Sequence, residues 1–266
     1  MILQDIGRQP VIVVENLTMR FGDDIILQDV SFKVFRGEIF VIVGGSGCGK
    51  TVLMKNMIGL YRPSAGRVLV EGIDINIDSE KALSSVRYRI GVLFQSGAMI
   101  GSMSLAENVA LPLSEQRRLS PALIDMIVKM KLGMVNLAGY ENHMPAALSG
   151  GMKKRAGLAR AMVMDPTILF FDEPSSGLDP VTAAELDHTI RGINEGMGTT
   201  MIIVSHDLAS IQNIAHRVIM LDKGDKGIIA EGVPAQLKEN SDDPRVIQFF
   251  NRSLDEAKTQ GTAYGG

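Results

Sequence analysis

The segment GGSGCGKT at 44–51 combines glycines, a lysine and a threonine at spacings suited to holding phosphate groups. Gly44, Gly49, Lys50 and Thr51 fill the fixed places of G-x-x-x-x-G-K-S/T, with Gly45, Ser46, Gly47 and Cys48 between them and Val52 after. Glycines let successive backbone N–H groups turn toward one point. Lys50 adds a charge for β- and γ-phosphates, and Thr51 offers a hydroxyl to Mg²⁺. The run EIFVIV at 38–43 reads as a buried strand and KTVLMKNMIGL at 50–60 as a helix. The loop therefore falls at a strand-to-helix junction, where the helix N-terminus also attracts anions.

A second constellation lies further along. Asp172 and Glu173 end the apolar run TILFFDE at 167–173. In an open α/β sheet, ligands bind beyond the carboxyl ends of the strands. One carboxylate there can hold Mg²⁺ and its neighbour can take a proton from an attacking water. Ser149, Gly150 and Gly151 open a helix with Ser149 as N-cap, which makes a second anion site. Gln95 follows the strand-like IGVLF at 90–94, His206 follows TTMIIVS at 199–205, and Phe21 lies in LTMRFGDD. On residue type alone, Gln95 reads as a solvated loop residue and Phe21 as packing. His143, His188 and His216 have no motif around them.

In this order, the phosphate loop, LSGGM at 148–152, FFDEP at 170–174 and SH at 205–206 resemble the nucleotide-binding subunits of ATP-binding-cassette (ABC) transporters. The resemblance runs from about Val11 into the 240s. It implies an α/β phosphate-loop NTPase (RecA-like) core, an ABC-type antiparallel β subdomain and an inserted α-helical subdomain. The cassette is expected over 8–241, with the helical insertion at about 96–164, then a C-terminal helical extension and flexible tail at 242–266. ATP and Mg²⁺ are the implied cofactors. Asp172, Thr51 and Gln95 would serve the metal, and Glu173 would act as general base. His206 would contact the γ-phosphate and Phe21 would stack on adenine. Ser149, Gly150 and Gly151 would close over ATP held at Lys50 of a second copy in a head-to-tail homodimer, with Asp179 in the loop crossing the interface.

Two departures from the commonest family pattern, Met152 after Ser-Gly-Gly and Val52 after Thr51, remove side chains able to hydrogen-bond nucleotide. LSGGM, LFQSGAMIGSMSLAENVALPL at 93–113 and DDPRVIQFF at 242–250 together resemble the Mla/Mce-type lipid-transport ATPases. That branch implies integral membrane permease subunits, an Mce-domain protein and a STAS-domain regulator as partners. It also implies a peripheral position on the cytoplasmic face of the inner membrane. An ABC importer for a small solute such as an amino acid would use the same hydrolytic residues and stays open as the alternative. An ATPase acting on ribosomes or DNA would usually carry two cassettes or a long coiled coil, and neither is evident.

Bulk properties agree. The 266 residues are 45% hydrophobic and 21% charged, with net charge −3, which argues against general nucleic-acid affinity. No apolar run reaches the roughly 18–20 residues that span a bilayer, and MILQDIGRQP lacks the pattern of a secretory signal. The lone cysteine, Cys48, excludes an internal disulfide and fits a reducing compartment. The basic run Lys153, Lys154, Arg155 is expected to solvate one side of a helix. Met126, Met130 and Met134, at i, i+4 and i+8, are expected in a helix core. At the C-terminus, Asp243 and Pro244 mark a helix start. The stripe of Val246, Phe250 and Leu254, with Ile247 and Phe249 beside it and Tyr264 beyond, needs covering, either by the chain's own core or by a partner such as the second cassette or a regulator.

Overall fold

The computed structural model describes residues 9–76, 79–115 and 119–251. Its strands are β1 (Pro10–Phe21), β2 (Asp24–Phe35), β3 (Ile39–Gly44), β4 (Ala65–Val70), β5 (Ile73–Asp74), β6 (Ile90–Leu93), β7 (Ile168–Asp172), β8 (Thr200–Val204), β9 (Arg217–Asp222) and β10 (Gly227–Gly232). Its helices are α1 (Lys50–Met57), α2 (Glu80–Arg87), α3 (Leu105–Ser114), α4 (Pro121–Met134), α5 (Gly150–Ala161), α6 (Pro180–Met197), α7 (Leu208–Ile214) and α8 (Pro234–Asn240). A last helix, α9, follows at 244–251.

β3, β7 and β8 are buried along their whole length, as expected of strands covered on both faces. They belong to a six-stranded sheet ordered β10-β9-β3-β8-β7-β6, parallel except for the β9–β10 pair. A four-stranded antiparallel sheet, β2-β1-β4-β5, lies beside it. Side chains of β3 alternate between two cores. Phe40 and Ile42 join the core shared with the antiparallel sheet and α1. Ile39, Val41 and Val43 join the core shared with α3 to α7 and α9. The phosphate-loop strand is thereby fixed from both sides. β1 and β2 are long, twelve residues each, and α2 and α8 are short helices that the sequence reading did not single out.

α3, α4 and α5 pack on one another between β6 and β7, in the place of the expected helical insertion. Ser104 caps α3 in a reciprocal capping box with Glu107. On α4 the expected inner face is wrong. Met126 is 61% exposed, and Met130 and Met134 are also exposed. The buried face is the rival stripe Val128 and Leu132, continued by Val135 after the helix. Lys131 is buried among these residues and its ammonium pairs with Asp165.

Of the two readings of the C-terminal stripe, the described residues follow the one in which the helix docks on its own core. Asp243 does accept from the backbone of the first turn, at Arg245 N. Val246, Phe249 and Phe250 are buried in the core beneath the six-stranded sheet, not held out for a partner. Arg245 fastens the helix to the β9–β10 turn through Asp222 and Asp225. Leu254 and Tyr264 lie outside the described residues. Because Phe250 is fully enclosed, Phe250→Ala should cost about 3–5 kcal/mol of stability. Ile247→Ala, on the exposed side, should stay within about 0.5 kcal/mol. Chemical denaturation of the two variants checks this, and equal midpoints would remove α9 from the core.

Candidate nucleotide site

The register of three neighbouring strands builds the site. Ile42 of β3 and Asp172 of β7 both stand opposite Val204 of β8. The phosphate loop, the acid pair and the Ser205–His206 step therefore leave the sheet at one height along one edge. Glu173 N–H donates to Val204 O at 2.9 Å and Ser205 N–H to Ile42 O at 3.2 Å, carrying the alignment past the strand ends.

Gly44 must be glycine here. Its φ is 144°, and a Cβ would sit 2.3 Å from Leu221 O. Gly49, at φ 101°, precedes α1, whose N-terminus has no side-chain cap. Its first-turn N–H groups are thus available to an anion. Lys50 Nζ lies over the loop, donating to Gly44 O at 2.9 Å and Gly45 O at 3.0 Å. Gly45, Ser46 and Gly47 are exposed, whereas Cys48 is buried and burial pushes its thiol pKa up. Val52 packs its side chain against the core beside the antiparallel sheet.

Thr51 Oγ1 donates to Asp172 Oδ1 at 3.0 Å, placing a hydroxyl beside a carboxylate. Burial pushes the Asp172 carboxyl up, the Thr51 hydrogen bond opposes that shift, and the nearby Glu173 charge adds to it. A divalent cation would reverse this balance and favour the ionised form. Among the described residues no group of three His, Cys, Asp or Glu side chains could cage a metal. The donor set nevertheless fits Mg²⁺, which commonly takes one or two protein ligands together with phosphate oxygens and water. Glu173 Oε2 lies 2.7 Å from His206 Nδ1. Gln95 Nε2 donates to Ser176 Oγ at 3.4 Å, across from the acid pair.

These groups surround a cavity of about 690 Å³, a volume typical of small-molecule sites. Its wall includes Phe21, the loop residues Gly44 to Gly47 and Gly49 to Val52, Gln95, Glu173 and His206. Phe21 is 46% exposed, with its ring meeting Tyr61 edge to face at 5.6 Å. Ile26, Leu208 and Phe249 also line the wall and had no sequence signal. Phe249 arrives from α9, far along the chain.

Ser149, Gly150, Gly151 and Asp179 stand outside this cavity and against one another. Ser149 Oγ accepts from Met152 N–H at 3.3 Å, confirming the N-cap of α5. A Cβ on Gly151 would meet Thr182 Cγ2 at 2.4 Å, so α5 packs tightly on the start of α6. Asp179 caps α6, accepting from Val181 N–H, Thr182 N–H and Thr182 Oγ1. Ser149, Gly150 and Asp179 are exposed, and Met152 is partly buried against the core.

The basic run beside them departs from expectation. Lys154 is only 6% exposed. Its ammonium donates to the carbonyls of Glu173 at 3.2 Å, Pro174 at 2.6 Å and Ser176 at 2.5 Å. Arg155 is half-buried, with its Nε enclosed. The run is an internal tie rather than a solvated face. His216 is likewise structural, its Nδ1 accepting from Ile39 N–H at 3.1 Å.

A phosphate loop, an acid pair at the neighbouring strand end and a helical arm carrying Ser-Gly-Gly define a nucleotide-hydrolysing cassette. The ABC transporter family profile matches residues 27–176, and the chain belongs to that family as an ATP-hydrolysing nucleotide-binding subunit. It is 44% identical over 248 residues to the "Probable ribonucleotide transport ATP-binding protein mkl" of Mycobacterium leprae, covering 92% of this chain and 71% of that protein. It is 42% identical over 247 residues to the "Intermembrane phospholipid transport system ATP-binding protein MlaF" of Haemophilus influenzae, covering 93% and 92%. Among solved structures it is similar to the dimeric post-hydrolysis ATP-binding cassette MJ0796 bound to ADP and Pi. That match has a TM-score of 0.75 and 30% identity, covering 84% of this chain and 98% of the other. Membership implies ATP and Mg²⁺ binding of the family's kind. Among the described residues no helix is long and apolar enough to cross a membrane.

Met152 packs its side chain partly against the core, so this position is expected to contribute through its backbone. Met152→Gln should leave ATPase turnover within about twofold, the scale of a ±0.5 kcal/mol substitution. Ser149→Arg, which blocks the exposed helix start, should lower turnover by about 10² or more, the scale of losing an anion-stabilising donor. Steady-state ATPase rates decide between them, and a collapse in Met152→Gln alone would refute the backbone-donor account.

Proposed function

We infer that this chain powers phospholipid transport across the cell envelope. It would do so as a head-to-tail homodimer, peripheral on the cytoplasmic face of the inner membrane, bound to an Mla/Mce-type permease. The observation that carries the reading is the near full-length match to the Haemophilus influenzae phospholipid-transport protein, 92% of whose length aligns. The segment 93–113, beside the groove between α5 and the core, is part of the same resemblance. An Mce-domain protein and a STAS-domain regulator complete the assembly in this reading. The M. leprae relative, named for ribonucleotide transport, keeps a small-solute importer as the second reading.

In the catalytic cycle, Lys50 and the N–H groups of 44–51 hold the β- and γ-phosphates. Phe21 stacks on adenine. Thr51, Asp172 and Gln95 would hold Mg²⁺, which would supply positive charge to the phosphoryl group in transfer. Glu173 accepts the proton of the attacking water, and His206, already 2.7 Å from that carboxylate, donates to a γ-phosphate oxygen. Ser149 with Gly150 and Gly151 closes the opposite site of the dimer, and Asp179 stands at the crossing. The MJ0796 cassette, solved as a dimer bound to ADP and Pi, supports the homodimer in this reading.

Lys50→Ala should abolish nucleotide binding. Glu173→Gln should still bind MgATP and accumulate as a closed dimer while turnover falls at least about 10²-fold, the usual contribution of a general base. Nucleotide titration and size-exclusion chromatography with ATP separate the two effects, and retention of more than about a tenth of turnover by Glu173→Gln would show another base. Cargo is tested by purifying the tagged full-length chain from membranes and identifying its companions. An Mce-domain protein is expected, and recovery of a solute permease without one would refute the lipid reading.

A further inference from the structure

The turn carrying the proposed general base is held in a conformation that its own residues do not favour. Glu173 has φ 51°, a left-handed conformation that is sterically unfavourable in a non-glycine residue. Such a conformation persists only where the surroundings impose it. The Val204 carbonyl holds one side through the Glu173 N–H. On the other side, the carbonyls of Glu173, Pro174 and Ser176 converge on one point, and the Lys154 ammonium fills it. An ammonium has three donors and no acceptor, so each N–H has one carbonyl.

Lys154 stands on α5, one turn after Ser149. The same stretch of α5 bears on the loop that follows Gln95. A Cβ on Gly97 would lie 3.0 Å from Lys153 O, and one on Gly157 3.0 Å from Gly97 O. Arg160, further along α5, donates to Gly97 O at 3.0 Å and Ala98 O at 2.9 Å. Ser176, at the end of the clamped turn, accepts from Gln95. One rigid helix thus holds the loops of both Glu173 and Gln95 by their backbone carbonyls. Burial lowers the Lys154 pKa and the Glu173 charge opposes that shift, in keeping with an ammonium set close behind the carboxylate.

We propose that Lys154 is the positioning residue for Glu173: by gathering the carbonyls of the 173–176 turn it aims the carboxylate at the attacking water and ties that aim to the Ser-Gly-Gly helix. The inference rests on Glu173 being the general base. Hydrolysis therefore becomes sensitive to how α5 sits, and α5 begins at the residues offered to the second copy.

The test is a double-mutant cycle in the full-length chain purified with its membrane subunits. Lys154→Met should lower kcat by about tenfold or more, since a misplacement near 1 Å can cost about 10², while the ATP KM stays within about twofold. Lys154→Arg should restore much of the loss, because a guanidinium can donate to several of the same carbonyls. In a Glu173→Gln background, Lys154→Met should add little further loss of single-turnover hydrolysis, as expected of residues acting through one group. If Lys154→Met does not fold, Lys154→Gln, which keeps a donor without the charge, is read in the same way. Independent, multiplying losses, or a rise in KM matching the fall in kcat, would overturn the inference. Wild-type kcat in Lys154→Met beside an inactive Glu173→Gln would overturn it alone, and full turnover in Glu173→Gln would overturn the base assignment with it.

Discussion

The alignment of β3, β8 and β7 is the constraint on which the nucleotide edge depends. Because Ile42 and Asp172 face the same residue of β8, Val204, three loops from distant parts of the sequence emerge together. A slip of one residue in a parallel ladder would turn each strand's side chains to the other face and exchange its two cores. The fully buried strands make that slip prohibitive, since Phe170 and Phe171 of β7 belong to opposite cores. The Thr51–Asp172 hydrogen bond is a consequence of this registry. So is the approach of Glu173 to His206.

The sequence disclosed the chemistry well because its signals are local. A phosphate loop needs positive φ at particular positions, and Gly44, Gly47 and Gly49 all have it. A strand ending in two acids after an unbroken apolar run can hardly be placed elsewhere. The central sheet was legible for the same reason. Buried parallel strands are continuous apolar runs, and their turns carry glycine or proline.

What escaped the sequence depends on contacts made at a distance. Three methionines four apart identify a helix face but not the side of the helix that turns inward. On α4 two apolar stripes compete, and the β-branched and leucine stripe prevailed. A run of Lys, Lys and Arg reads as solvated because lysine is seldom buried. At Lys154 the compensating acceptors are backbone carbonyls, which no residue pattern records. Arg217 follows the same logic, reaching Glu38, the carbonyl of Lys33 and the faces of Phe35 and Phe40 from one guanidinium. Phe249 reaches the cavity wall only because α9 folds back on the sheet, a tertiary event that its own amphipathic pattern leaves undecided.

One copy of the chain presents two unlike halves of a site. The cavity gathers the phosphate loop, Gln95, Glu173 and His206. The Ser-Gly-Gly helix start and Asp179 face away from it, their local hydrogen bonds already made within α5 and α6. An exposed helix start and a phosphate-loop cavity are complementary, the one favouring negative charge and the other placed to hold it. A two-fold arrangement satisfies both at once, because each copy then gives a helix start and receives one. In the proposed pair the nucleotide would lie between the two halves, so that closing the pair and assembling the site would be the same event. Within each copy, α5 and its carbonyl ties are the rigid link between the half that is given and the half that receives.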